Sequence, residues 1–145
     1  MIKLISIDPG KCKCGLVLAD LNQKRVYQAV VLNTAFLPQY LKTLNNSENI
    51  SKVIIGNGTT SRQNIEKLKF LKKKLVVAEE KNTTLRAKKR YFELFPMRGL
   101  QNLLPKEIFI INKNLDAVSA LIILEDYSNY KFTLSEDIEI KTWLK

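Results

Sequence analysis

Residues 5–20 read ISIDPGKCKCGLVLAD: an apolar run from Ile5 to Ile7, one carboxylate at Asp8, a turn holding Pro9, Gly10, Lys11 and Lys13, and a second run from Gly15 to Ala19. Two aliphatic runs divided by Pro and Gly predict two strands joined by a turn, with Asp8 at the C-terminal end of the first, strand Ile2 to Ile7. A third run, Arg25 to Leu32, follows turn residues at Asp20, Asn22 and Gln23. The chain therefore opens as an antiparallel meander.

Working outward, a helix is expected from about Ala35 to Asn45, with Thr34 as its cap and Pro38 confined to the first turn. Lys52 to Ile55 is a short β-branched strand closed by Gly56, Asn57 and Gly58. Ser61 can cap a helix to about Lys74, with Ile65, Leu68, Phe70 and Leu71 inward and Lys72 to Lys74 as a solvated C-terminal end that complements the helix dipole. Leu75 to Ala78 is a further strand ending in Glu79 and Glu80, and Thr83 or Thr84 starts a helix to about Phe92. After a loop from Pro96 to Pro105 and a short apolar stretch, Ile108 to Ile111, a helix begins near Asn114 and carries Leu115, Val118, Leu121, Ile122 and Leu124, with Asp116 in its first turn. Residues 130–145 receive no assignment. The order implies an α/β domain built on a mixed five-stranded sheet, three antiparallel strands plus two helix-connected parallel strands, flanked by helices.

The 145 residues fit one domain, 1–145, which at this length buries roughly two-thirds of its unfolded surface. The longest apolar run, Ala120 to Leu124, is far too short to cross a bilayer, and Lys3, Ser6 and Asp8 interrupt anything resembling a secretory signal, so a cytoplasmic location without membrane association is expected. Cys12 and Cys14 are the only cysteines, and one residue apart in a strand they would point to opposite faces, so reduced thiols are expected. The chain has no histidine, which removes zinc sites of the usual kind and serine–histidine chemistry.

The net charge of +10 is unevenly spread. Lys81, Arg86, Lys88, Lys89, Arg90, Arg98 and Lys106 face Glu93 alone between residues 81 and 106, interleaved with Tyr91, Phe92 and Phe95. Such a segment suits a polyanion whose phosphates meet cations and whose bases stack on rings, or else it is a solvated basic helix with its aromatics in the core.

Carboxylates mark three places: Asp8 and the pair Glu79 and Glu80 at strand ends, and Asp116 at a helix start. Hard divalent cations such as Mg²⁺ or Mn²⁺ take oxygen ligands, and a pair of them can activate water against a phosphodiester. Each acid also has a plain role open to it, as a turn acceptor, a surface charge or a helix-dipole partner.

Three stretches in order carry a resemblance. Ile7-Asp8-Pro9-Gly10 through Gly15 resembles a DxGxxxxG strand and turn, Val76 through Thr84 resembles a DERLTT segment, and Asp116 through Leu124 and on to Tyr127 resembles a DxxAAxxIL helix. Ile54-Ile55-Gly56 fits a VVGLP strand, although Asn57 and Gly58 stand where LP would follow. Together, over residues 2–127, these resemble the YqgF, or RuvX, family of RuvC-like nucleases in the ribonuclease H superfamily. The resemblance implies a ribonuclease H-like fold and a metal-dependent endonuclease of structured nucleic acid, acting on a ribosomal RNA precursor or a Holliday junction. It implies Asp8, Glu80 and Asp116 as catalytic and metal-binding residues, with Glu79 exchangeable for Glu80 by a one-residue register shift. Lys11, Lys13, Lys81, Arg86, Lys88, Lys89, Arg90 and Arg98 would contact nucleic acid. A homodimer is among the expectations, since RuvC-type resolvases cut two strands. The other readings of the same pattern are a non-catalytic nucleic-acid-binding module of this fold, and half of an actin-like ATPase, which would need a second domain.

Overall fold

The computed structural model describes residues 1–58, 60–96, 115–136 and 138. Its centre is a six-stranded sheet in the order β5-β4-β1-β2-β3-β6. The strands are β1 (Lys3–Asp8), β2 (Lys13–Asp20), β3 (Arg25–Asn33), β4 (Ile50–Gly56), β5 (Leu75–Ala78) and β6 (Thr133–Leu134). β1, β2 and β3 form the antiparallel meander, β4 joins β1 in parallel and β5 joins β4 in parallel, as the sequence predicts. The expected five strands become six because Thr133 and Leu134, in the stretch left unassigned, pair with Arg25 and Val26 on the edge of β3.

Alternation along the strands sends side chains to two cores. On one side, Ile5, Ile7, Leu16, Leu18, Val53 and Ile55 pack with Leu37, Leu41 and Leu44 of helix α1 (Leu37–Ser47) and with Leu68 and Leu71. On the other, Leu4, Val17, Ala19 and Ile54 meet helix α4 (Asp116–Ser128) and Ala87 of helix α3 (Thr83–Leu94). Eight consecutive residues of α4, Ala117 to Leu124, are buried. A helix apolar all round suits this place, pressed on the sheet below while α3 packs across it. No helix among the described residues is long and apolar enough to cross a membrane.

Three local expectations change. Asn33, not Thr34, caps the short turn before α1, accepting from the Ala35 amide at 3.0 Å, while Thr34 donates its hydroxyl to the Gly10 carbonyl at 2.9 Å. The expected helix from Ser61 to Lys74 ends at Lys67 as α2 (Ser61–Lys67), preceded by Thr60 without a side-chain cap. A 3₁₀ segment, Lys69–Lys74, follows, with Lys72 at φ 54°. Leu68 and Leu71 explain the change: a three-residue spacing stacks on one face of a 3₁₀ turn, and both are buried. The apolar stretch Ile108 to Ile111, and all but the first residue of the Pro96 to Pro105 loop, lie outside the described residues.

Candidate acidic site at the sheet edge

Asp8 is the last residue of β1, and the alternation that buries Leu4 under α4 turns Asp8 to the same face. Its partner across the ladder is Gly15. A Cβ on Gly15 would fall 1.9 Å from the Asp116 carbonyl oxygen and 2.6 Å from the Ala117 nitrogen, so only glycine lets the first turn of α4 settle here. Asp116 is thereby brought to the end of β1.

Glu80 arrives by a different route. β5 ends where Ala78 pairs with Gly56, and the next residue of the β4 side, Asn57, donates its amide to the Ala78 carbonyl at 2.9 Å. The Asn57 side-chain oxygen then accepts the Glu80 amide at 3.0 Å. A Cβ on Gly56 would lie 2.1 Å from Glu80 Oε1, and one on Gly58 2.9 Å from Oε2, so the carboxylate occupies space that two missing side chains leave. Glu79 instead points to solvent, 68% exposed and 3.5 Å from the Lys81 ammonium. Of the two glutamates, Glu80 is the one beside Asp8.

The Asp8 carboxyl is pushed up from 3.8 to about 8, first by burial, then by the charge of Glu80 and a hydrogen bond with it, and least by the charge of Asp116. A hydrogen bond between two carboxyls needs a shared proton. Glu80 Oε1 is nevertheless buried without a hydrogen-bond partner. Among the described residues no three acidic or thiol side chains already stand together as a ligand cluster. The residues fit a hard cation all the same: two carboxyls that interact, a third whose charge reaches Asp8, and a buried Glu80 oxygen lacking a donor. Cys14 is turned away from the acids: it packs in the core on the α1 side, where its thiol lies 3.7 Å from the Leu32 carbonyl and burial above all pushes it up to about 12.

The turn between β1 and β2 is held by the Thr34 hydroxyl on Gly10 and by the Thr34 amide on the Cys12 carbonyl at 2.9 Å. It presents Lys11 and Lys13 exposed beside Asp8. The remaining cations are placed unequally. Lys81 and Lys89 are exposed and Lys88 is half-buried. Arg86 makes two 2.7 Å contacts to the Asp126 carboxylate. The Arg90 side chain, 11% exposed, bonds Glu125 at 2.7 Å, Glu93 at 3.2 Å and the Phe132 carbonyl at 2.8 Å. Both arginines thus tie α3 to the end of α4. Phe92 is buried, and Tyr91 and Phe95 pack on the same core with centroids 5.0 Å apart, so the rings interleaved with the basic residues serve packing. Arg98 lies outside the described residues. A cleft of about 520 Å³ opens near the acids between Glu79, Lys81, Arg86, Asp126 and Tyr127, but none of the three acids lines it.

The mixed six-stranded sheet with helices packed on both faces is an α/β, ribonuclease H-like fold. No protein-family model matches the chain, and no curated protein sequence does. Among solved structures it is similar to T. thermophilus RuvC in complex with a Holliday junction substrate, with a TM-score of 0.51 and 9% identity. The match covers 89% of this chain and 96% of that one, so the likeness of fold extends over nearly all of both.

Sequence reasoning did not assign a role to Asn57, or see that Gly15, Gly56 and Gly58 make room for the acids. The break in the VVGLP resemblance after Gly56 was the available signal.

Proposed function

We propose that the chain is a divalent-metal-dependent endonuclease of structured nucleic acid, RuvC-like in fold and allied by its three motifs to the YqgF/RuvX group. The observation that carries this reading is the pairing of Asp8 with Glu80, with the charge of Asp116 reaching Asp8, at the C-terminal ends of the strands of a RuvC-like sheet. Asp8, Glu80 and Asp116 would hold Mg²⁺ or Mn²⁺, with Asp8 central because it feels both of the others. Bound there, such ions would supply an activated water and stabilise the leaving oxygen of a phosphodiester. The chain's own part is to hold Asp8 at the end of β1, Asp116 at the start of α4 and Glu80 just past β5 through Asn57, and to meet phosphates with Lys11 and Lys13. Lys81 and Lys89 add contacts that position the backbone without reading sequence.

Branched DNA is the favoured substrate, because the similar RuvC is bound to a Holliday junction. A ribosomal RNA precursor is the substrate that the motif resemblance supports. A junction has two strands to cut, so the proposal for DNA includes a homodimer. The test is cleavage of a labelled four-way junction and a labelled ribosomal RNA precursor with Mn²⁺, Mg²⁺ or EDTA, using wild type and Asp8→Asn. Metal-dependent cutting that Asp8→Asn abolishes, with binding retained, is expected. Salt-sensitive binding without product in either metal would refute the nuclease and leave the non-catalytic module.

A further inference from the structure

We infer that the turn Gly56-Asn57-Gly58 is a positioning device for the Glu80 carboxylate, with Asn57 as its positioning residue, and that it sets the divalent-cation affinity of the acidic site. This rests on the reading of the site proposed above. Four observations carry it.

The parallel ladder between β4 and β5 ends at the pair Gly56 and Ala78. Asn57 extends it by one step from both of its ends, the backbone amide reaching the Ala78 carbonyl at 2.9 Å and the side-chain oxygen taking the Glu80 amide at 3.0 Å. Glu80 lies beyond the last strand residue, where an edge strand of four residues would otherwise leave it loose. Its backbone is fixed to β4, the neighbour of β1, and so to Asp8.

The glycines act on the side chain. Cβ atoms at Gly56 would sit 2.1, 2.5 and 2.7 Å from Oε1, Cδ and Cγ of Glu80, and one at Gly58 would sit 2.9 Å from Oε2. Neither glycine stands at positive φ, so backbone conformation does not require it. Room for a carboxylate does. The Gly58 position also approaches Pro9, the residue after Asp8, at 3.9 Å, which ties the turn to the β1 end of the site.

Glu80 Oε1, the atom closest to the Gly56 position, is buried without a hydrogen-bond partner. A buried acceptor left bare is costly, and a cation is the partner that a neighbouring carboxyl cannot be for both of its oxygens. The turn therefore holds an oxygen ready for an ion at a standing cost to the fold. The Asn57–Glu80 bond is itself exposed, so removing it lets water satisfy the amide.

Supporting groups of this kind typically change metal affinity rather than stability when removed. The experiment follows thermal unfolding of the full chain over a Mn²⁺ series and in EDTA, for wild type, Asn57→Ala, Asn57→Asp, Gly56→Ala and Asp8→Asn. The wild-type midpoint should rise with Mn²⁺. Asn57→Ala and Gly56→Ala should need about tenfold more Mn²⁺ for the same rise, while Asn57→Asp, which keeps the acceptor, should stay within about threefold of wild type. In Gly56→Ala the new methyl displaces the Glu80 side chain from Cγ outward but meets no backbone, so its midpoint in EDTA should fall only modestly, and its Mn²⁺ response is read relative to its own EDTA midpoint. If Mn²⁺ response depends on Asp8 but is unmoved by both Asn57→Ala and Gly56→Ala, the turn is only structural and the inference falls alone. If wild type shows no Mn²⁺ response, or Asp8→Asn responds like wild type, the proposed site falls and takes the inference with it.

Discussion

Replacing Asp8 by Asn should stabilise the protein in EDTA near neutral and alkaline pH, although it removes the carboxylate on which the proposed activity depends. Burial, then Glu80, then Asp116 raise the Asp8 carboxyl from 3.8 to about 8. Between those values the folded chain keeps a proton that the unfolded chain has released. Folding stability from this group is therefore complete below the unfolded value and is lost as pH rises through the window. At about 1.36 kcal/mol per pKa unit the ceiling is about 5–6 kcal/mol, and a carboxyl only partly buried, and so partly screened by water, realises a fraction of it, for which we expect about 2 kcal/mol. Asn keeps the shape and has nothing to titrate. In a chain of this size that difference moves the thermal midpoint by roughly 8 °C.

Urea unfolding in EDTA, at about pH 5 and about pH 8 and fixed ionic strength, separates the contributions. The advantage of Asp8→Asn over wild type should be small at the lower pH and about 2 kcal/mol at the higher one. Adding Mn²⁺ at about 100 times its Kd should return about 2.7 kcal/mol to wild type alone and reverse the order of the two proteins. An Asp8→Asn protein less stable than wild type at the higher pH in EDTA would refute the reasoning: Asp8 would then anchor the turn through hydrogen bonds rather than suffer repulsion.

Gly15→Ala would drive a methyl into the backbone of Asp116 and Ala117, which cannot swing aside as a side chain can. We expect a loss of about 3 kcal/mol in urea unfolding together with loss of any Mn²⁺ response, because α4 must lift away from Asp8. Arg90→Ala and Arg86→Ala should differ sharply although both break ion pairs of α3 with α4. Glu125 is only 9% exposed, so stranding it by Arg90→Ala should cost about 3–5 kcal/mol, whereas the exposed Arg86–Asp126 pair should cost under about 1 kcal/mol. Equal losses in denaturant melts would contradict this division.

The strands were legible because their chemistry repeats. Runs such as Ile5 to Ile7 and Val53 to Ile55 are buried on both faces, and a nearly continuous aliphatic run bounded by Gly, Pro or Asn has few other uses. β6 was not legible, since two residues carry no period and Thr133 and Leu134 are strand only because β3 offers them an edge. The failure at Lys67 has the same origin: a helical stripe and a 3₁₀ stripe share the spacing of Leu68 and Leu71, and only packing chooses between them. Position placed Asp8 at a strand end and Asp116 at a helix start, and the structure has both there. The resemblance put Glu80 before Glu79 but left them exchangeable by one residue; the Asn57 hydrogen bond and the glycine spaces that set Glu80 beside Asp8 are long-range in sequence, and propensity holds no record of them.

The basic segment shows how charge counting and site reading must be joined. A surplus of cations between residues 81 and 106 invites a single phosphate-binding face, yet Arg86 and Arg90 each answer an acid of α4. Asp126 and Glu125 of α4 are thus the structural counterpart of part of the basic excess before them. Subtracting those pairs moves the expected phosphate contacts toward Lys11 and Lys13, which follow Asp8 on a turn tied down at Gly10 and Cys12. If nucleic acid is bound there, Lys11→Ala with Lys13→Ala should lower the salt dependence of binding by about two counterions, while Arg86→Ala should leave it unchanged.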